Sequence, residues 1–194
     1  MRLQKTAALA AGLLALAAAA VAGGPEIGAA APTFTLTTLD GKSFSLADAA
    51  KSHDAVVIMF IATKCPYSNA YNDRMRDMAA AYEKKGILFA GINSNKTEPA
   101  DEAIAHAKKH GHTFPIMKDP DNKVADLYDA KHTPEVFVVD RQGKLRYHGR
   151  IDENYENPSK VASPDLKNAL DALLGGNPIA KAETKAFGCT IKRV

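Results

Sequence analysis

Residues 60–69 read FIATKCPYSN, and the fold turns on how this stretch is parsed. It closes the apolar run AVVIMFIA, 55–62, which is continuous and rich in β-branched residues, the pattern of a strand buried on both faces. Pro66 suits the first turn of a helix, and Tyr71, Met75, Met78 and Tyr82 recur at helical spacing as one packed face down to Lys85. Gly86 stops that helix and ILFAGI, 87–92, supplies a second buried strand. Strand, helix, strand in this order is a parallel crossover, with Cys65 at its first junction. A second cysteine three residues on would make a redox pair; Ser68 stands there instead.

Working outward, FTLTTL (34–39), Asp40-Gly41 and KSFSL (42–46) read as a β-hairpin ahead of the core, followed by a short helix over 46–51. Thr97 is placed to cap a helix carrying Ala100, Ala103, Ile104 and Ala107 on one side and ending near Gly111. FPIMKD (114–119) is a further short strand, and 122–129 a short helix burying Val124 and Leu127. TPEVFVVDRQGKLRYHG (133–149) holds two strands turning at Gly143, an antiparallel hairpin. Ser163 as N-cap and Pro164 at the first helical position open a last helix, closed by Gly175-Gly176. A polar, basic tail, 177–194, follows.

The first 22 residues carry Arg2 and Lys5, a run of Ala, Leu and Gly, and small residues at Ala20 and Ala22, the pattern of a secretory leader cleaved after Ala22; an uncleaved anchor is the competing reading. Residues 23–194 then suffice for one domain, expected over 23–176 with 177–194 as its tail, and no membrane span is expected in it. Without Arg2 and Lys5 the chain has 23 basic against 22 acidic residues, a balance that gives no argument for nucleic acid. Two cysteines, Cys65 and Cys189, are too few for a disulfide scaffold, so each thiol needs its own explanation.

The order of elements and three segments carry a resemblance. IATKCPYS is similar to the segment W-A-T-W-C-P-x-C, HTFPIMKD to an inserted strand, and HTPEVFVVDRQGKL to a segment bearing a cis-proline, which falls on Pro134. Over 28–175 the chain therefore resembles the exported thioredoxin-like redoxins, a group that includes TlpA-like thiol-disulfide oxidoreductases and AhpC/TSA peroxiredoxin-like proteins. The resemblance implies an α/β, three-layer thioredoxin-like fold: a central mixed sheet with helices on both faces, an N-terminal hairpin extension and an inserted helix-strand unit. It also implies that Thr133 and cis-Pro134 form the floor on which substrate docks against Cys65.

A cysteine at a helix N-terminus has its thiolate favoured by unpaired N–H groups. Lys64, the Ser68 hydroxyl and His132 are expected to add to that, and Tyr67, Arg150 and Asp152 are candidate substrate contacts. In a C-x-x-C pair the first thiolate attacks a disulfide and the second releases the mixed disulfide; serine cannot take the second step. Cys189, with Lys185, Lys192 and Arg193 near it in sequence, is the one candidate within the chain, and an external thiol the alternative. The 13 residues 176–188 span up to about 45 Å when extended, so reach does not limit it. A cycling disulfide, a permanent staple and a free Cys189 all stay open.

Peroxiredoxins carry P-x-x-x-[TS]-x-x-C and a supporting arginine; here Ile58 and Ala62 occupy the first two positions, Thr63 is out of register, and none of Arg141, Arg146 and Arg150 matches the third. The acid that thioredoxins bury six residues before the cysteine is replaced by Met59. The expectation is thus an exported, periplasmic thiol-disulfide oxidoreductase with Cys65 as nucleophile, acting on a thiol- or disulfide-bearing protein or small thiol, with an external reductant. Two rivals are a non-turnover binding module holding copper or a partner through Cys65 and a weak peroxidase. No cofactor is expected, and no metal site either, because the solvated face of a helix accounts for His106, His110 and His112.

Overall fold

The computed structural model describes residues 23–194; the expected leader lies outside them. A five-stranded sheet has the spatial order β5-β4-β3-β7-β8, built from β3 (Ala55–Phe60), β4 (Ile87–Asn93), β5 (Ile116–Lys118), β7 (Glu135–Asp140) and β8 (Leu145–Gly149). β3, β4 and β5 run parallel, while β7 and β8 are antiparallel additions. Before them come a hairpin, β1 (Thr35–Thr37) and β2 (Ser43–Ser45), and α1 (Leu46–Ser52).

Every residue of β3 is buried, because each face has its own core. Val57 and Met59 pack with Met75 and Tyr82 of α3 (Asn72–Glu83) and Leu166 and Leu170 of α6 (Asp165–Leu174). Val56, Ile58 and Phe60 pack on the other side with Leu46 of α1 and Val124 of α5 (Lys123–Leu127). Burying a side chain such as Phe60 stabilises the fold by about 1.5–3 kcal/mol, and here both strand faces contribute. The result is the three-layer α/β thioredoxin-like architecture, with α4 (Ala100–His110) and β5 as the inserted unit.

Four local expectations change, one being that Leu127 of α5, expected to be buried, is 44 % exposed. The helix after Cys65 is broken into α2 (Pro66–Ala70) and α3, with Tyr71 between them at φ −95°, ψ −3°. Two side chains of the first turn bond back to the strand end: Ser68 Oγ accepts from Ala62 N–H at 3.1 Å and Asn69 Nδ2 donates to Thr63 O at 2.9 Å. At α4 the cap position is Pro99, not Thr97, and at α6 it is Pro164, while the Ser163 hydroxyl donates to Asp165 Oδ1 at 2.6 Å.

Both sheet edges are covered, which removes unpaired strand groups from solvent. At β5, the hairpin docks through Leu39 N–H to Ile116 O at 2.8 Å. At β8 the tail runs alongside, with His148 N–H donating to Ala182 O and Thr184 N–H to His148 O, both at 3.0 Å. It continues to β9 (Cys189–Thr190), which pairs antiparallel with β6 (His132–Thr133).

Candidate active site

The cis peptide falls between Thr133 and Pro134, beside the end of β3. Cys65 is the N-cap of α2: its sulfur accepts the Ser68 backbone N–H at 3.3 Å, and its thiol donates to Thr133 O at 3.0 Å. The junction of strand and helix and the proline loop therefore meet at one sulfur. The Cys65 side chain is 3 % exposed. What covers it is the tail.

Register puts Cys189 opposite Thr133 and Thr190 opposite His132. The backbones come close enough that a Cβ on Gly188 would lie 2.2 Å from Thr133 O and 2.8 Å from Thr133 C, so only glycine, here at φ +149°, fits. This brings Cys189 beside Cys65, whose sulfur is felt at the Cys189 thiol together with the Tyr67 backbone N–H and Lys192. Burial first, then the neighbouring Cys65 sulfur, pushes the Cys189 thiol up to about 11, and the Tyr67 N–H and Lys192 offset this only in part. The two sulfurs are unjoined.

The remaining expected site residues divide. Tyr67 lies at the site, its ring centroid 4.5 Å from Tyr155 and 6.2 Å from Phe187, an aromatic group that flanks the sulfurs. Ser68 meets the sulfur through its backbone N–H; its hydroxyl is occupied with Ala62. Lys64 extends to Glu102 at 2.8 Å and to Thr97 O at 2.9 Å, so its charge is answered by a carboxylate. His132 falls with Thr190 on the opposite face of the β6–β9 ribbon from Thr133 and Cys189, because strand side chains alternate. Asp152 is buried and binds Tyr71 Oη at 2.8 Å and Arg74 at 2.7 Å, while Arg150 pairs with Asp165 at 2.7 Å. Those last two tie loop 150–155 to the core.

Several supporting residues were not singled out in the sequence. Buried Glu98 accepts Thr63 N–H at 2.7 Å, Lys64 N–H at 3.2 Å, Asn93 Nδ2 at 2.6 Å and Asn95 Nδ2 at 2.9 Å. Burial raises its pKa, but these donors outweigh burial and hold it below the ordinary carboxylate value. Buried Glu135, next to Pro134, accepts Lys131 N–H, His132 N–H and His148 Nε2 within 2.8 Å, and by the same balance lies below the ordinary value. The polar run NSNKTEP after a buried strand, and a glutamate opening an otherwise apolar one, were the available signals. The rings of His106, His110 and His112 do gather at 4.5–6.2 Å, yet among the described residues no group of three His, Cys, Asp or Glu is placed to hold a metal ion.

The AhpC/TSA family model matches residues 27–148. The chain is 28 % identical over 120 residues to the thiol-disulfide oxidoreductase ResA of Geobacillus thermodenitrificans, covering 62 % of this chain and 67 % of that one. It is 30 % identical over 157 residues to the chloroplastic peroxiredoxin Q of Oryza sativa subsp. japonica, covering 76 % and 68 %. The crystal structure of an uncharacterized conserved protein from Geobacillus kaustophilus, 36 % identical, matches with a TM-score of 0.80 over 86 % of this chain and 92 % of that one. The chain belongs to the AhpC/TSA family of thioredoxin-like redoxins.

Proposed function

We propose that this protein is a thiol-disulfide oxidoreductase whose redox pair is Cys65 and Cys189, the tail supplying the second thiol that C-x-x-C proteins hold on the helix. The observation that carries the reading is the register that sets Cys189 opposite Thr133, the residue whose carbonyl accepts from the Cys65 thiol. In the reaction, the Cys65 thiolate attacks one sulfur of a substrate disulfide, forming a mixed disulfide and releasing one substrate thiolate. Cys189, after losing its proton, attacks the Cys65 sulfur, closes the 65–189 disulfide and releases the second substrate thiolate. The two protons leave with the two substrate thiols, and an external dithiol restores the reduced pair. Thr133 O accepts from the Cys65 thiol in the resting state, and Ser68 N–H supports its thiolate.

Disulfide exchange is favoured over peroxide reduction by the pairing of the candidate arginines. Arg141 is bound to Asp54 at 3.0 Å, Arg146 to Asp140 at 2.9 Å and Arg150 to Asp165 at 2.7 Å, and the Thr63 hydroxyl donates to Glu102. We also propose export to the periplasm, on the strength of the leader-like 1–22. No helix among the described residues is long and apolar enough to cross a membrane. The test is steady-state reduction of a disulfide with a dithiol as electron source. Activity is expected to vanish in Cys65→Ser, while reduced Cys189→Ser mixed with the disulfide before any dithiol is added is expected to stop at the Cys65 mixed disulfide; full activity in Cys65→Ser would refute the assignment.

A further inference from the structure

The edge of β6, where an extended polypeptide would pair beside the cis-proline, is already taken by the chain's own β9. The occupation is firm on both sides of Cys189. Upstream, Tyr147 Oη meets Thr184 Oγ1 at 2.8 Å, Arg150 N–H donates to the same hydroxyl at 3.1 Å, and a Cβ on Gly149 would lie 2.1 Å from it. Downstream, Ile191 is buried in the core and its N–H donates to Lys131 O at 3.0 Å; Lys192 N–H donates to Asn95 Oδ1 at 2.7 Å, and Val194 N–H to Asn122 Oδ1 at 2.8 Å. Phe187 packs against both Tyr67 and Tyr155, at 6.2 and 6.3 Å. Under this strap Cys65 keeps only 3 % of its surface.

Resting on the Cys65–Cys189 pair proposed above, we infer that the oxidised substrate is a low-molecular-weight disulfide, not a polypeptide one. A small disulfide needs contact with one sulfur atom and no strand edge. A polypeptide needs the β6 edge, so only the fraction of molecules with the tail released reacts with it, and its apparent rate is reduced by that fraction. The exchange is the one written above: substrate S–S breaks, Cys65–Cys189 S–S forms, and two substrate thiols leave with the two protons.

The experiment mixes the reduced full-length protein with oxidised glutathione or with an unfolded protein carrying one disulfide. It follows the reaction in wild type, Phe187→Ala and Ile191→Asp, with the masses of quenched products. In wild type the small disulfide is expected to react at least about 100-fold faster, and in both variants the polypeptide rate rises about tenfold or more as the tail loosens. Equal wild-type rates for the two oxidants, or a polypeptide rate unchanged in both variants, would overturn the inference while leaving the cysteine pair standing. If neither oxidant joins Cys65 to Cys189, the pair itself fails and the inference with it.

Discussion

Cys189 is the more exposed of the two thiols and yet is pushed up to about 11, through burial and through the sulfur of Cys65 beside it. In Cys65→Ser that neighbour is gone, and the Cys189 pKa is expected to fall toward the ordinary thiol value of 9.0. Alkylation rate against pH by iodoacetamide reads this directly; an unchanged profile would mean that burial alone sets it. At Ser68 the structure answers why serine stands in the second position. Its hydroxyl, buried, satisfies the Ala62 N–H at the end of the apolar run. Ser68→Ala is expected to leave that donor unpaired and lower stability by about 1–3 kcal/mol in chemical denaturation. The sequence made the strand-to-helix junction legible because period and punctuation are local. It did not reveal which atoms of Ser68 face the sulfur, since that depends on a six-residue reach back to Ala62.

At the scale of elements, the tail is the least legible part. Strands β3, β4 and β7 announce themselves by long apolar runs, and the cis-proline segment by its position before one of them. A two-residue strand such as β9 has no such pattern; tertiary contact with Thr133 decides it, and Gly188 permits the contact. Gly188→Ala is therefore expected to part β9 from β6, because the atoms its Cβ would meet are backbone. The rate of intramolecular disulfide formation after mixing with a small oxidant is expected to drop by about tenfold or more, measured by quenched-flow alkylation. A rate equal to wild type would show that the close approach is not required. The break at Tyr71 escaped a reading by periodicity for a related reason: the apolar stripe continues through it, while Tyr71 N–H turns back to Ser68 O at 3.1 Å and the Ser68 and Asn69 side chains bond to the strand end.

For the whole molecule, acid and oxidation act in opposite directions. His112 is held neutral by burial first and by the neighbouring His106, His110 and Arg76 charges, with its pKa lowered from 6.5 to about 4. Between those values the unfolded chain binds more protons than the folded one, so stability is full above pH 6.5 and falls as pH drops toward 4. The melting temperature of wild type is expected to decline across that window, and His112→Gln to flatten it; equal slopes would contradict the assignment. Joining Cys65 to Cys189 closes most of the chain into one loop, which by loop-closure entropy stabilises the oxidised form by up to about 4–5 kcal/mol. The overall architecture was legible from residues 28–175, and spacing alone drew attention to His106, His110 and His112; the strand pairing of the tail and the burial of His112 were not legible, because both are set by long-range packing. The most direct measurement is the mass and peptide map of the alkylated full-length protein, unreduced, after one equivalent of a small disulfide. The expected result is one species lacking two hydrogens, with the Cys65 and Cys189 peptides crosslinked; a lasting adduct on Cys65 beside an alkylated Cys189 would contradict it.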